Sequence, residues 1–398
     1  MTIRLYFQDS YLQSFEARVE ASRRGQMGWE VTLDRTCFYP EGGGQPSDSG
    51  TLGEAAVLHV YEQDGQIWHV LSDRVPAGPV FGQIDWQRRF DHMQQHTGQH
   101  LLSAVALSQL GAQTLSFHLG AETSTIDLDI SSLTDSLCNA LEDEVNRLVM
   151  AGICVRAYFV DPEDVPRLNL RKPPTKGEET RIVEISGIDL SPCGGTHVRS
   201  TSEIGLVKVR RAERYKGGTR LEFLCGWRAL RDYRWKHEAV SVLARELSVA
   251  DREVTEAVHR LQAAEREARQ EAEHARRQLL GYESAALRQQ AQPIGSWRIL
   301  ARAFEERAPA EVKQLAGLIV SEPGMVALLA TRSPAVRLFF MRSGDVPLDM
   351  REVLRLVTAR FGGGGGGRPE AAEGGGLAAA AVAEALAWAA EQVQSKAS

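Results

Sequence analysis

Four side chains have the types and spacing to hold one metal ion. His96 and His100 lie four residues apart in DHMQQHTGQHLLSAVALSQLG. On an α-helix that spacing projects both imidazoles from one side, about 6 Å apart along the axis at ~1.5 Å per residue. Cys193 and His197 form a second pair in SPCGGTHVRS, where two glycines let the backbone bend to bring both donors to one point. Three nitrogens and a thiolate favour zinc over magnesium or calcium. The expectation is one Zn2+ per chain. Other assignments stay open at this level. His92 stands one helical turn before His96 and could replace His100 in the pair, but His92 and His100 are about 12 Å apart along the axis and cannot serve the same ion. Cys193 could be a nucleophile activated by His197. Four protein ligands also suit a closed structural site, whereas a catalytic zinc keeps one position open.

The elements that must position these residues form four zones in a chain of 398 residues, too long for one ordinary core. Residues 1–90 alternate in short segments between turn signals and read as a small antiparallel, barrel-like β domain. Within it, CFYPEGGGQPSDSGTL contains Gly42, Gly43 and Gly44, which either form a wide turn or let the backbone approach something closely. Residues 91–229 are mixed α and β. A helix over the two histidines buries Leu101, Leu102, Val105 and Leu110 and stops at Gly111. TLSFHLG is a strand whose alternation puts Thr114, Ser116 and His118 on one face, available to line a pocket, and Leu115, Phe117 and Leu119 on the other. LTDSLCNALEDEVNRLVMAG is a second helix, with Leu133, Leu137, Leu141, Val145 and Leu148 on one side.

Residues 230–292 read as a helical, coiled-coil arm. A capping box at Ser248 and Asp251 starts a four-three apolar pattern of Val254, Val258, Leu261, Ala268, Ala272, Ala275 and Leu279, interrupted by Glu265. Residues 293–398 read as a separate α/β domain. WRILARAF, MVALLAT and VRLFFMRS are its strands, and EVKQLAGLIVS and PLDMREVLRLVTARF its helices. The run FGGGGGGRPEAAEGGG is expected as a loop around a ligand or partner. The fold class is therefore α+β and multidomain.

Composition narrows the function. The chain is 43% hydrophobic and 25% charged, with no run of ~20 apolar residues and no signal pattern, so no membrane partner and a cytoplasmic location are expected. Five scattered cysteines do not form a disulfide framework. A net charge of −6 excludes a uniformly basic, nucleic-acid-coating surface. Any RNA contact must be local. KVRRAERYKGGTR offers one, with Lys208, Arg210, Arg211, Arg214, Lys216 and Arg220 against the single acid Glu213.

HTGQHLL, the CGGTH about a hundred residues later, FYPEGGGQPSDSG, TLSFHLG and GGTRLEFLCG together resemble the editing region of alanyl-tRNA synthetase and its free-standing AlaX relatives. The glycine-rich C-terminal zone resembles the C-terminal domain of the same synthetase, also found in DHH-family phosphoesterases. The order of parts is that of the long AlaX form. The chain opens directly on the β zone, so no aminoacylation core is expected. The resemblance implies hydrolysis of the ester joining serine or glycine to alanine tRNA. It implies that His96, His100, Cys193 and His197 are the zinc ligands. It further implies that Thr114, Ser116, His118, Gly43, Gly44 and Gln45 contact the substrate, and that Arg210, Arg211, Lys216, Arg220 and Arg368 contact the tRNA. The C-terminal region is expected to grip tRNA or to form a homodimer. The competing reading is a non-catalytic tRNA-binding protein with a structural zinc site.

Overall fold

The computed structural model describes residues 2–26, 28–173 and 180–397. The chain divides into two compact units, Met1–Glu246 and Leu247–Ser398. The first unit begins with a closed barrel of β1 (Ser14–Arg24), β2 (Trp29–Leu33), β3 (Gly50–Leu52), β4 (Ala55–Gln63), β5 (Gln66–Leu71) and β6 (Gly78–Ile84). They close in the order β1-β2-β5-β4-β3-β6. The period-two sequence of β1 points Phe15, Ala17 and Val19 inward, against Val31, Leu33 and Ile67. Between β2 and β3 the glycine motif makes a tight turn. Gly42 and Gln45 exchange backbone hydrogen bonds of 3.1 and 2.9 Å around Gly43 and Gly44, both at positive φ.

Helix α1 (Trp86–Leu110) starts on an Asp85 side chain that accepts the Arg88 N–H and ends at Gly111 in the left-handed conformation. Leu101, Leu102 and Val105 are buried as expected. More unusual is the polar middle of this helix, where His92 and every residue from Gln94 to His100 are also buried. A buried polar side chain costs free energy unless partnered, so the packing around α1 must supply partners.

The barrel and two sheets supply them, and a second helix adds apolar packing. One sheet joins β7 (Thr114–Leu119), β8 (Ser124–Leu128), β12 (Val207–Tyr215) and β13 (Gly218–Cys225) in the order β12-β13-β8-β7. A second holds β9 (Val155–Val160), β10 (Thr180–Ile185) and β11 (Asp189–Pro192). Helix α2 (Asp135–Met150) packs Leu141, Val145 and Leu148 into the same core, capped by Thr134. Helix α3 (Gly226–Leu247) follows β13.

The expected arm is two helices rather than one. Between α3 and α4 (Val254–Gln289), Ser248 takes a left-handed backbone and the Glu253 carboxylate accepts the Ala250 N–H at 3.0 Å. The cap therefore sits two residues beyond the Ser248–Asp251 pair. Leu261 and Leu279 of the expected seam are 60% and 67% exposed, while Leu280, Ser284 and Leu287 are buried. Leu280 and Leu287 join Val312, Leu315 and Ile319 of α5 (Pro309–Ile319), a globular contact that takes the register from the coiled-coil pattern.

In the second unit β14 (Gln292–Ile294), β15 (Trp297–Phe304), β16 (Met325–Thr331), β17 (Arg337–Arg342), β18 (Gly364–Arg368) and β19 (Ala371–Gly375) form a sheet ordered β14-β15-β16-β17-β19-β18. Helices α6 (Met350–Phe361) and α7 (Val382–Ser395) complete it. The glycine run is therefore an edge strand, not the expected loop. A Cβ on Gly365 would lie 2.3 Å from the Glu373 carbonyl oxygen and 2.9 Å from the Leu354 side chain, so close strand and helix packing accounts for glycine there.

The barrel is tied to α1 by a fully buried ion pair. Arg89 binds both carboxylate oxygens of Asp48 and donates to the carbonyls of Ser10 and Cys37 at 2.9 and 2.5 Å, while Asp48 also accepts the Tyr39 N–H at 2.6 Å. Removing one member of such a pair strands the other charge. Arg89→Ala should cost about 3–5 kcal/mol. The check is a fall in the denaturant midpoint of the full chain, and an unchanged midpoint would contradict this role.

Candidate metal centre

The ligand atoms of His96, His100, Cys193 and His197 all lie within 4.8 Å of one another. Cys193 Sγ is 3.4 Å from His96 Nε2 and 3.3 Å from His197 Nε2. His96 and His100 come from adjacent turns of α1, with ring centroids 5.3 Å apart. Cys193 and His197 come from the loop that leaves β11. His92 is elsewhere, buried with an unpartnered Nδ1, and burial with nearby Arg88 presses its pKa down to about 3.

Each imidazole is held by its other nitrogen. His96 Nδ1 lies 2.8 Å from Gln45 Oε1, His100 Nδ1 2.9 Å from Asp189 Oδ2, and His197 Nδ1 3.1 Å from Thr97 Oγ1. Gln45 Oε1 and the Asp189 carboxylate can only accept, so Nδ1 carries the proton in His96 and His100 and Nε2 is left with its lone pair toward the cluster. Thr97 Oγ1 already accepts the Val198 N–H at 3.2 Å, and the same pattern fits His197. Asp189 is fixed in turn by Arg171 Nε at 2.6 Å and Ser191 Oγ at 3.0 Å. Burial would raise the Asp189 carboxyl, but its bonds to His100 and Arg171 hold it well below the usual carboxylate range.

Cys193 and His197 are held in the forms that suit a cation, while at His100 burial is outweighed by bonds to Asp189 and Cys193, which raise its pKa. Burial opposes ionisation of Cys193, yet His96 and His197 outweigh it and hold the thiol well below its ordinary value. Burial, helped by His96 and His100 and opposed by Cys193, presses His197 down to about 3. A thiolate and neutral imidazoles are the forms a metal requires. The four residues could therefore hold a metal ion.

The loop that carries Cys193 and His197 is shaped by groups that the pairwise motif did not reveal. Buried Arg181 donates through Nη1 to the carbonyls of Cys193 and Gly195 at 2.8 and 2.9 Å. Gln45 closes the other side, donating to Thr196 Oγ1 at 2.9 Å. A Cβ on Gly195 would fall 2.2 Å from His96 Cε1, so only glycine fits.

A cavity of about 360 Å³ opens onto His96, His100 and Cys193, with Gly43, Phe117 and Lys172 among its walls. Phe117 packs against the core, as expected of its face, and the site borders that same face: its ring lies 5.1 Å from that of His96. A β-bulge reverses the expectation only for Thr114 and Leu115. Leu128 pairs with Thr114 and Asp127 with Ser116, so Leu115 is an extra residue and the alternation changes phase. Thr114 is buried and donates to Ser103 Oγ at 2.6 Å. Ser116 and His118 are exposed, and Ser116 donates to Asp127. The structure thus brings Gly43 and Gln45 to the site, keeps Thr114 behind it, and places Ser116 and His118 on the outer face. Gly44 supports the wall, where a Cβ would lie 2.6 Å from the Phe117 carbonyl oxygen.

A family model for the threonyl and alanyl tRNA synthetase second additional domain matches residues 180–222, which include Cys193 and His197. A DHHA1 domain model matches residues 298–395. The alanyl-tRNA editing protein AlaX-L of Pyrococcus horikoshii is 33% identical over 382 residues, spanning 91% of this chain and 92% of that protein. The chain belongs to the AlaX family of alanyl-tRNA editing proteins. AlaX-M of Methanosarcina mazei is 34% identical over 233 residues, covering 54% of this chain and 92% of that protein. Aarsd1-A of Xenopus laevis is 38% identical over 241 residues, 59% of this chain and 58% of its own length.

In this AlaX chain the basic segment forms the β12–β13 hairpin, and tertiary structure brings acids to most of it. Lys208 pairs with Glu142 at 2.8 Å, Arg210 with Glu222 at 3.0 Å and Asp232 at 3.5 Å, Arg211 with Glu213 at 2.9 Å, and Arg220 with Asp127 at 2.7 Å. Glu142, Asp127 and Asp232 are distant in sequence, so the count against Glu213 alone overstated the free charge. Among the described residues Arg214, Lys216 and Arg368 have no ion-pair partner, although Lys216 lies 5.1 Å from the Tyr215 ring centroid. Among the described residues no helix is long and apolar enough to cross a membrane.

Outer partners of metal ligands typically matter 10–100-fold for affinity. Asp189→Ala should weaken metal binding by about that factor, read by competition with a chelator. Equal affinity in the variant would remove Asp189 from the site.

Proposed function

We propose that this chain hydrolyses the ester of alanine tRNA mischarged with serine or glycine, at one zinc ion held by His96, His100, Cys193 and His197. The observation that carries the reading is the convergence of three oriented imidazoles and a thiolate at the wall of a cavity able to admit an aminoacyl ester. The Sγ–Nε2 separations of 3.3 and 3.4 Å agree with the ~3.5 Å edge of a tetrahedral site with bonds of ~2.0–2.3 Å. The names of the relatives support the substrate. A pocket built for alanine cannot exclude smaller glycine and rejects the added hydroxyl of serine poorly, so a second, hydrolytic sieve is required.

When bound, the zinc supplies a Lewis acid for the ester or for an attacking water. The chain's own groups set the rest. Gln45, Thr97 and Asp189 lock the imidazoles, so the site need not reorganise as substrate arrives. Phe117 covers the His96 side of the cavity and limits water there. Asp189 is committed to His100, Arg171 and Ser191, which makes it a positioning group rather than a free base. The Cys193 thiol is read as a ligand and not as a nucleophile, because two imidazole Nε2 atoms face its sulfur. Beyond the pocket, we read the exposed cations and the C-terminal unit as tRNA contacts.

The deciding experiment is deacylation of seryl- and glycyl-tRNA(Ala) by the full chain, before and after chelation. Activity should fall at least about tenfold on metal removal and return with zinc, one ion per chain. Full activity in the metal-free, folded protein would favour a structural ion. No activity in either form would favour the non-catalytic tRNA-binding reading. For the tRNA surface, joint replacement of Arg214 and Lys216 by alanine should flatten the dependence of log K on log salt by roughly 0.7–0.9 per lost phosphate contact. Replacing the paired Arg210 and Arg211 should flatten it less. The opposite order would show that the ion pairs open on binding.

A further inference from the structure

Two of the three Lys and Arg side chains lining the metal-site cavity are matched by acids. Arg4 pairs with Glu62 at 2.6 Å and Arg171 with Asp189 at 2.6 Å, while the exposed Glu41 has only His59 nearby, at 3.8 Å. Lys172 is the exception. It is partly buried, lines the same cavity as His96, His100 and Cys193, and has no hydrogen-bond or ion-pair partner among the described residues. Its position is fixed from one side. The backbone N–H of Arg171 donates to the Leu190 carbonyl at 2.9 Å while the Arg171 side chain grips Asp189, so Lys172 emerges directly beside β11. Burial and neighbouring Arg171 press its pKa down, against a smaller opposing pull from Asp189 and Cys193, neither of which bonds to it.

A half-buried ammonium without a bonded counter-ion costs stability unless an anion completes it. The aminoacyl end of the substrate proposed above offers few anions. The α-amino group is cationic, and neither a seryl nor a glycyl side chain is charged. The nearest negative group is the 5′-phosphate of the terminal nucleoside, carried on the same ribose as the ester. We propose that Lys172 binds this phosphate and thereby registers the ester over the metal centre. A compact ammonium suits a single phosphate oxygen at a confined wall, where a planar guanidinium would need two. The inference rests on the aminoacyl-tRNA reading but adds a specific anion subsite to it. It makes Lys172 a substrate-positioning residue rather than part of the metal shell.

The test uses the full chain and two non-hydrolysable probes, 3′-serylamido-3′-deoxyadenosine and the same compound with a 5′-monophosphate, with binding measured by calorimetry. In the parent protein the phosphate should tighten binding about tenfold, the worth of one charge-assisted hydrogen bond. In Lys172→Gln that advantage should fall below about twofold, while binding of the phosphate-free probe stays unchanged; Lys172→Arg should restore part of it. A phosphate advantage that survives Lys172→Gln, or none in the parent protein, overturns the assignment while leaving the function intact. Failure of the folded, metal-loaded parent to bind either probe overturns the aminoacyl-tRNA reading and this inference with it.

Discussion

Burial of a polar stretch on one helix is the constraint from which the rest of the first unit follows. Residues Gln94 to His100 of α1 lie in the interior, where an unpaired polar side chain costs on the order of 1–3 kcal/mol. No single neighbour could satisfy them. The barrel contributes Gln45 to His96, the three-stranded sheet contributes Asp189 to His100, and β13 meets Gln95, whose Oε1 accepts the Cys225 N–H at 2.9 Å. Thr97, on the helix itself, serves His197 and the Val198 N–H. The separate structural layers are thus fastened to one another by the same hydrogen bonds that orient the donors of the candidate metal centre.

This arrangement explains why barrel and mixed zone form one compact unit despite their different sequence character. The fully buried Arg89–Asp48 pair sits just N-terminal to the ligand-bearing turns, and Asp48 lies three residues after Gln45. Holding Asp48 holds the turn that delivers Gln45. A pair of this kind contributes little net stability compared with apolar packing, but it specifies one geometry strongly because breaking it strands a charge. That property suits a site whose donors must converge within a few ångströms.

The two ligand pairs and the helix carrying one of them were legible because histidines four apart on a helix, and a cysteine and histidine around two glycines, are local patterns. The strands of the C-terminal unit were legible for the same reason, through their continuous apolar runs. What escaped depended on long-range register. Asp189 is 89 residues from its partner His100, and nothing in DLSP distinguishes it from an exposed acid. The core face of β7 rather than its polar face borders the candidate metal centre, so Phe117 and not His118 approaches His96, and the bulge at Leu115 turns Thr114 inward. The four-three pattern on α4 failed at its C-terminal end because Leu280 and Leu287 found a partner helix at a different phase. The glycine run lacked side chains to signal a strand, although its small size is what permits the pairing.

Charge follows the same division between local composition and tertiary structure. A sequence count makes the β12–β13 hairpin look like an open cationic surface, but the fold returns an acid to four of its basic residues. With a net charge of −6, the protein has no broad positive field to draw in RNA, so attraction must come from cations left without acids. One of them, Lys172, lines the cavity rather than an open face. A surface ion pair is worth little and can be exchanged for a phosphate at small cost, whereas Lys172 has no bonded partner among the described residues to give up. On the subsite proposed above, an ammonium at the cavity wall would favour an anion that enters with an ester over nucleic acid in general, so that selectivity would rest on where the unpaired charge lies.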